Sequence, residues 1–202
     1  MLKDPRIAFF DANAAKWDEL GPPQEVVLKQ LDQLLPRLPL GPGQSVLEVG
    51  CGTGAYTGWL ADKVKPGRVR AIDFSPEMIA RARQQNINAD FVVADACEAD
   101  LGTDCYDAVF CLNVFPHFRN PEKALGNLSR ALRYGGHLVV LHLMGREALN
   151  ALHAKIGNAV GNDELKDLRW WEESLAKADL SPKVLEDGKQ SFLGIGIRGN
   201  QK

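Results

Sequence analysis

The stretch Val46-Leu47-Glu48-Val49-Gly50-Cys51-Gly52-Thr53-Gly54 decides the fold of this chain. An apolar run that carries one acid leads directly into glycines at three alternate positions. The amphipathic segment that follows has four residues on one face: Tyr56, Trp59, Leu60 and Val64. This order indicates a buried strand, a tight turn and the start of a helix. Glycine is needed where the backbone takes a positive φ and where a ligand lies against bare main chain.

Short apolar runs alternate with helical segments from residue 45 onward. Five of these runs are rich in Val, Ile, Leu or Phe and lie at 45–50, 68–73, 90–95, 106–112 and 137–143. Helices between most of them predict parallel strands that are covered on both faces. The last two runs, 182–187 and 191–198, are too close together for a crossover and predict an antiparallel hairpin. The sequence therefore predicts an α/β fold with five parallel strands and a C-terminal hairpin, seven strands in all.

Capping signals mark helices outside these strands. Asn120 is placed to cap a helix over 121–134, while Pro121 suits its first position and Gly135 suits its end. Residues 6–20 favour a short helical arm that carries aromatic side chains.

Charge and composition argue against several classes of function. The net charge is −2 and 25% of the residues are charged, so no positive electrostatic field that would attract nucleic acid is expected. The segment 1–6 lacks the apolar core of a signal peptide, and no run approaches membrane-spanning length. The four cysteines include no Cys-x-x-Cys pair, which indicates reduced, mostly structural thiols. We therefore expect a cytoplasmic protein with no membrane partner.

The glycine turn fits two classes of ligand. Read as acid-x-Gly-x-Gly-x-Gly, it resembles the first motif of the class I S-adenosylmethionine-dependent methyltransferases. Read from Gly50 with Ala55 in the last place, it also fits the dinucleotide fingerprint Gly-x-Gly-x-x-Gly/Ala. The carboxylate of Glu48 favours the first interpretation, because it repels a pyrophosphate but suits the cationic side of S-adenosylmethionine. A turn that binds no ligand is the remaining alternative.

The resemblance to these methyltransferases continues from about 45 to 143 and implies a Rossmann-like open sheet with ligands beyond the carboxyl ends of the strands. Asp73 follows the second strand and is expected to accept both ribose hydroxyls, although a plain turn role is also possible. Asp95 follows the third strand and is expected to accept from the adenine amino group, with the Ala96 amide donating to the ring. Asn113 ends the fourth strand, where the main chain is expected to receive the methionine amino group.

Further features complete the motif series and the expected cofactor site. Tyr134-Gly135-Gly136 is expected to precede the fifth strand. An aromatic arm with Phe9, Phe10 and Trp17 resembles the arm that closes over the cofactor in small-molecule members, although packing alone explains both phenylalanines equally well. The cofactor is expected to be S-adenosyl-L-methionine, with S-adenosyl-L-homocysteine as its product. The residues expected to bind it are Trp17, Glu48, Gly50, Cys51, Gly52, Thr53, Gly54, Asp73, Phe74, Met78, Asp95, Ala96 and Asn113.

The acceptor is expected beyond the fourth and fifth strands. Methyl transfer requires a positioned nucleophile, and a protonated acceptor also requires a base. The expected catalytic residues are His117 and His142, and the expected substrate-binding residues are Phe115, His117, His142, Arg146 and His153. A structural role remains the alternative for each histidine. The three histidines could also bind a metal, but their spacing shows no convergence, so no metal is predicted.

These assignments predict the domain organisation and the function of the chain. Residues 1–202 are expected to form one domain with an arm or lid at 1–40, a cofactor-binding core at 45–143, acceptor-side cover helices at 145–180 and a terminal hairpin at 182–198. Within the cover, 147–160 is expected to pack through Leu149, Leu152, Ile156 and Val160, which have helical spacing. The expected function is methyl transfer to a small molecule, by a monomer or homodimer. The alternatives are a noncatalytic S-adenosylmethionine-binding or S-adenosylhomocysteine-binding module and a nicotinamide-dependent oxidoreductase.

Overall fold

The described chain, residues 4–199 of a computed structural model, divides after Asp95 into two units. Residues 1–3 and 200–202 of the expected domain lie outside the described residues. None of the helices between residues 4 and 199 has the length and apolar character needed to cross a membrane.

The first unit contains three parallel strands and four α-helices. In chain order its elements are α1 (Pro5–Asn13), a 3-10 segment (Ala14–Glu19), α2 (Gln24–Leu34), a 3-10 turn (Leu35–Arg37), β1 (Ser45–Val49), α3 (Thr57–Val64), β2 (Arg68–Asp73), α4 (Pro76–Ala82), a 3-10 turn (Arg83–Gln85) and β3 (Asp90–Val93). Strand β2 pairs in parallel with both β1 and β3. The three strands and the helical arm agree with the sequence expectation, although β3 ends two residues before Asp95.

The core of the first unit explains its strand–turn–helix order. Val46, Leu47 and Val49 of β1 are buried, as are Leu60 and Val64 on one face of α3. The structure therefore buries the apolar residues of the predicted strand and of one face of the predicted helix. Each buried aliphatic side chain contributes about 1.5–3 kcal/mol relative to exposure.

The second unit contains four strands and three α-helices. Its elements are β4 (Tyr106–Leu112), a 3-10 turn (Phe115–His117), α5 (Pro121–Ala131), β5 (Leu132–His142), α6 (Arg146–Ile156), a 3-10 turn (Asn158–Val160), α7 (Leu168–Lys177), β6 (Leu180–Asp187) and β7 (Phe192–Arg198). Strands β4 and β5 are parallel, whereas β7 runs antiparallel to both β5 and β6. The terminal hairpin is therefore confirmed.

The expectation for the end of α5 was wrong. The helix begins as expected, with the Asn120 side chain accepting from Lys123 N, but it ends at Ala131. Strand β5 starts at Leu132, so Tyr134-Gly135-Gly136 lies inside the strand rather than before it. The ladder with β4 is irregular here, because Leu132 pairs with Tyr106 and the next pair is His137 with Ala108. Residues 133–136 bulge out, and the positive φ of Gly135, +76°, serves this bulge instead of a helix end.

A distant arginine replaces the expected glycine cap of α5. Arg198 Nη1 donates to the carbonyl oxygens of Arg130, at 2.9 Å, and of Leu132. Its guanidinium carbon also lies 4.4 Å from the centroid of the Tyr134 ring. Carbonyls at a helix end need such partners. Arg198 comes from β7, so no local sequence signal announces this arrangement.

The packing face expected for 147–160 was wrong at two of its four residues, whereas Val160 is buried as expected, at 2% exposure. Helix α6 ends at Ile156, and two of its predicted packing residues, Leu152 and Ile156, are 40% and 43% exposed. The residue that α6 buries is His153, at 6% exposure. The reason is polar: Asn150, one turn earlier, donates to Leu165 O at 3.1 Å and accepts from Leu165 N at 2.8 Å. These bonds hold the following loop against the Asn150–His153 face.

Candidate functional site

The glycine turn of the first unit has the conformation that its sequence predicts. Gly50, Gly52 and Gly54 have φ values of +72°, +54° and +82°. These values lie in the region that side chains disfavour. A Cβ built on Gly54 would lie 3.2 Å from Ala82 Cα, so this glycine also permits the close approach of α4. Both Gly50 N and Cys51 N donate to Ile72 O, which ties the turn to the end of β2.

Glu48 supplies a buried carboxyl next to this turn. Its side chain accepts a 2.6 Å hydrogen bond from Thr57 Oγ1, and the residue is 4% exposed. Burial raises the pKa of Glu48 to about 7, and the negative charge of Asp73 raises it further, while the Thr57 hydrogen bond opposes the shift. A cation beside this carboxyl would lower its pKa again. The geometry therefore favours a ligand with a positively charged group.

Asp73 joins the glycine turn to the start of α4. Its Oδ2 accepts from Gly52 N at 3.0 Å and its Oδ1 from Ser75 N at 2.9 Å. The turn role considered for Asp73 is therefore realised. A carboxylate has about four acceptor positions, so each oxygen can also accept from a ligand hydroxyl. The two roles are compatible.

Two aspartates of the helical arm bind the same region. Asp11 Oδ1 accepts from Ser75 Oγ at 2.5 Å and from Glu77 N at 3.3 Å. Asp18 Oδ1 accepts a 2.6 Å hydrogen bond from Thr53 Oγ1, within the glycine turn. The arm therefore has specific polar contacts with the glycine turn and the start of α4, and neither aspartate was among the predicted site residues.

Aromatic contacts reinforce the arm. The Phe10 ring lies in edge contact with Phe9, Trp17 and Phe74, at centroid distances of 5.3, 5.2 and 5.5 Å. A Cβ built on Gly52 would lie 3.7 Å from Trp17 Nε1, so the indole borders the turn. Phe10 is a packing residue, at 6% exposure. Phe74 and Trp17 are partly exposed and keep an accessible surface.

The remaining predicted cofactor residues occupy different positions. Met78 and Cys51 are buried, and burial raises the pKa of the Cys51 thiol, which argues against a reactive thiolate. Asp95 is half-buried at the end of the first unit. In the second unit, the Ala96 carbonyl accepts from Asn127 Nδ2 at 3.0 Å. Asn113 has φ +53° and its Oδ1 accepts from Leu143 N at 3.0 Å, so its side chain links the ends of β4 and β5.

One aspartate binds two of the predicted acceptor-side histidines in the second unit. His117 Nδ1 lies 2.8 Å from Asp163 Oδ2, and His153 Nδ1 lies 2.6 Å from the main-chain oxygen of Asp163. The two imidazole centroids are 5.0 Å apart. Asp163 was not predicted, because it lies 46 residues from His117 and no local pattern connects the two.

His142 is buried in an unusual state. It is 1% exposed, and neither ring nitrogen has a hydrogen-bond partner among residues 4–199. Burial lowers the pKa of His142 to about 3, with smaller contributions from His117 and His153. The ring is therefore neutral near pH 7 and is a weak base. Its two unsatisfied nitrogens suit contact with a polar ligand group better than proton abstraction.

The other predicted substrate residues are already engaged. Phe115 is 2% exposed and packs against Trp171 at 4.4 Å between ring centroids. Arg146 Nε lies 3.0 Å from Asp187 Oδ2, and Arg146 N donates to Asp187 Oδ1 at 3.1 Å. An anionic substrate would have to compete with Asp187 for this guanidinium. Within the part of the chain that the structure describes, no group of three or more His, Cys, Asp or Glu residues is arranged to hold a metal ion.

Comparison with known proteins identifies relatives of part of the chain. Residues 47–140 match a family described as methyltransferase domain. The chain is 32% identical over 130 residues to the malonyl-[acyl-carrier protein] O-methyltransferase of Herminiimonas arsenicoxydans, a match that covers 64% of this chain and 48% of that protein. The chain spans about half the length, or less, of the first curated relatives that it matches.

Solved structures share the fold over nearly the whole chain. A chain of the complex between the Haloferax volcanii Trm112 methyltransferase activator and a methyltransferase matches with a TM-score of 0.76 and 19% identity, covering 95% of this chain and 98% of that chain. A SAM-dependent methyltransferase from Aquifex aeolicus matches with a TM-score of 0.73 and 23% identity, covering 92% and 98%. These likenesses confirm the expected fold class, a Rossmann-like, mostly parallel seven-stranded sheet with antiparallel C-terminal strands and surrounding helices.

Proposed function

From the match of residues 47–140 to the methyltransferase domain family, we propose that the chain transfers the methyl group of S-adenosyl-L-methionine to a small-molecule acceptor. The observation that carries the proposal is the buried Glu48 carboxyl beside the glycine turn. Burial disfavours the charged form of this carboxyl, so a cationic ligand group beside it would stabilise the carboxylate and a pyrophosphate would destabilise it. The four cysteines are free thiols, which agrees with action in the cytoplasm.

The first unit has the donor and acceptor groups that this cofactor requires. Glu48 and the main chain of the turn would hold the cationic amino acid portion, and Asp73 would accept both ribose hydroxyls. Asp95 would accept from the adenine amino group, with Phe74 and Met78 as apolar walls. When bound, the cofactor supplies an electrophilic methyl carbon on sulfur.

The second unit has candidate groups for the acceptor. His117 has an imidazole fixed by a carboxylate, which is the arrangement expected of a general base. His142 offers unsatisfied nitrogens for orienting a polar acceptor group. The protein side chains would bind, orient and deprotonate the acceptor. They would also exclude water: Phe115, two residues before His117, is buried and packs against the buried ring of Trp171.

Calorimetric titration tests the cofactor assignment directly. S-adenosyl-L-homocysteine should bind saturably and raise the melting temperature, because a ligand that binds only the native state stabilises it. NAD should do neither. Saturable binding of NAD without binding of S-adenosyl-L-homocysteine would overturn the proposal in favour of an oxidoreductase.

Turnover separates an enzyme from a noncatalytic binding module. S-adenosyl-L-homocysteine release is measured with phenol, benzylamine and thiophenol as acceptors, beginning from S-adenosyl-L-methionine. Release that depends on one of these acceptors supports the enzyme. Tight cofactor binding without acceptor-dependent release across a wider panel of alcohols, amines and thiols would favour the binding module.

A further inference from the structure

We propose that Asp163 is the positioning residue for His117: it holds the imidazole with its proton on Nδ1, so that Nε2 takes the proton of a neutral hydroxyl acceptor. This inference rests on the proposed methyl transfer and adds the acceptor class, an alcohol or a phenol. It concerns residues of the second unit alone.

Hydrogen-bond chemistry fixes the direction of the contact. We take Asp163 as ionised, and an ionised carboxylate can only accept hydrogen bonds, so in the proposed arrangement His117 Nδ1 carries the proton of the 2.8 Å contact with Asp163 Oδ2. The Asp163 side chain is 1% exposed and the His117 side chain is 13% exposed. Solvent therefore screens this pair little, and the carboxylate can stabilise the imidazolium that forms when Nε2 accepts a proton.

Asp163 is itself held in place by the main chain around it. Asp163 N donates to Val160 O at 3.0 Å, and its carbonyl oxygen accepts from His153 Nδ1 at 2.6 Å. Two residues later, the reciprocal bonds of Leu165 with Asn150 join the same loop to α6. A carboxylate on such an anchored loop can hold an imidazole in one orientation, which is what positioning requires.

The groups that face His117 select the charge of the acceptor. They are the Asp163 carboxylate and the His153 ring, and His142 is close enough for the charge of His117 to affect its pKa. Burial lowers the pKa of both His153 and His142, so these surroundings disfavour a positive ammonium group. The buried carboxylate of Asp163 disfavours a negative thiolate. A neutral hydroxyl, which donates to one nitrogen and accepts from another N–H, fits the set.

The proposed proton and methyl transfers conserve atoms and charge. The acceptor O–H proton moves to His117 Nε2 while the oxygen lone pair forms a bond to the methyl carbon. The C–S bond breaks and its electron pair remains on sulfur. The imidazolium, paired with Asp163, then releases its proton to water. No oxidant or metal enters this balance.

Nitrogen NMR of histidine-labelled protein tests the tautomer without turnover. In the wild type above pH 8, His117 should show an N–H at Nδ1 and an unprotonated Nε2. In Asp163→Asn this preference should be lost, whereas His153 should keep its Nδ1–H because its partner is a main-chain oxygen. His153 therefore serves as an internal control for folding, and Glu173→Gln, an exposed position on α7, is a matched control variant. An Nε2–H tautomer of His117 in the wild type would overturn the inference.

Steady-state kinetics with two probe acceptors is the second test of the inference. Asp163→Asn should lower kcat with phenol about tenfold or more, while KM for S-adenosyl-L-methionine stays within about twofold. Methylation of thiophenol should not fall, because thiophenol ionises without a base and the variant removes the carboxylate that disfavours a thiolate. Equal losses with both probes, with the tautomer intact, would show that Asp163 has only a structural role.

The two proposals fail in distinguishable ways. If S-adenosyl-L-homocysteine does not bind, the proposed function fails, whichever nitrogen of His117 carries the proton. If it binds but His117 carries its proton on Nε2, only the role of Asp163 fails. Where no probe acceptor is turned over, the NMR result alone decides on Asp163.

Discussion

Thr57 donates a 2.6 Å hydrogen bond to the buried carboxyl of Glu48, and this contact opposes the effect of burial on the Glu48 pKa. Burial still prevails, so the folded chain binds a proton near pH 7 where an ordinary glutamate binds one near 4.5. The protonation of this single residue therefore links the glycine turn to pH.

Glu48→Gln should flatten the dependence of stability on pH. Because the pKa is raised in the folded state, the contribution of Glu48 is fully present below pH 4.5 and is lost as the pH rises through about 7. The wild type should lose about 3 kcal/mol of unfolding free energy between pH 4.5 and pH 8 from this residue. Urea unfolding at both pH values measures the loss. An equal loss in Glu48→Gln and the wild type would contradict the assignment.

Asp73→Ala should weaken binding of S-adenosyl-L-homocysteine by about 1.5–3 kcal/mol, the range for hydrogen bonds to a charged group. It should also reduce stability without ligand, because Asp73 accepts from Gly52 N and Ser75 N. Calorimetric titration measures the affinity, and Asp62→Asn, an exposed position in the same unit, is the control. Wild-type affinity in Asp73→Ala would remove this carboxylate from the ribose site.

Asp11→Ala should release the helical arm without unfolding the first unit. The variant loses the acceptor for Ser75 Oγ and Glu77 N, and one such hydrogen bond is worth about 1 kcal/mol. Hydrogen exchange of residues 5–19 should accelerate about fivefold, as local opening becomes easier, while α3 keeps its protection. If exchange in the arm stays at the wild-type rate, the Asp18–Thr53 hydrogen bond and the aromatic contacts of Phe10 hold the arm without Asp11.

His142→Leu should stabilise the chain at pH 7 by about 1–3 kcal/mol, because it removes a buried polar ring whose nitrogens have no partner within residues 4–199. The gain should grow in acid. The unfolded chain binds a proton near pH 6.5 and the folded ring only near 3, so the wild type loses about 2 kcal/mol from this residue by pH 5. Urea unfolding at pH 7 and pH 5 measures both effects. Destabilisation at pH 7 would indicate that ordered water satisfies the ring.

The sequence predicted most of the fold because its signals are local. The glycine turn, the Asn120 cap and the apolar runs each depend on neighbouring residues. The turn and the cap lie where expected, and every run lies in a strand, although β3 ends two residues early and β5 begins five residues early. The errors at Gly135 and along α6 have distant causes. Arg198 reaches the end of α5 from β7, and Asn150 binds a loop that follows α6. Local propensity contains no information about either contact.

The residues of the candidate site also divide into those that the local sequence predicts and those that it does not. Carboxylates at strand ends follow from the strand pattern, which is why Glu48 and Asp73 could be proposed from sequence. Their partners do not follow: Thr57 is on the next helix, and Asp163 is 46 residues from His117. The pKa values also depend on burial, which only the packed structure provides.

The close approach of Gly54 to Ala82 limits how the chain can be engineered. A Cβ at position 54 would lie 3.2 Å from a main-chain atom of residue 82, so trimming the Ala82 side chain would not create room. The φ of +82° strains every L side chain at position 54 as well. Glycine is thus required there for two independent reasons. A mutant library designed to change ligand preference should hold position 54 constant and diversify the surrounding positions instead.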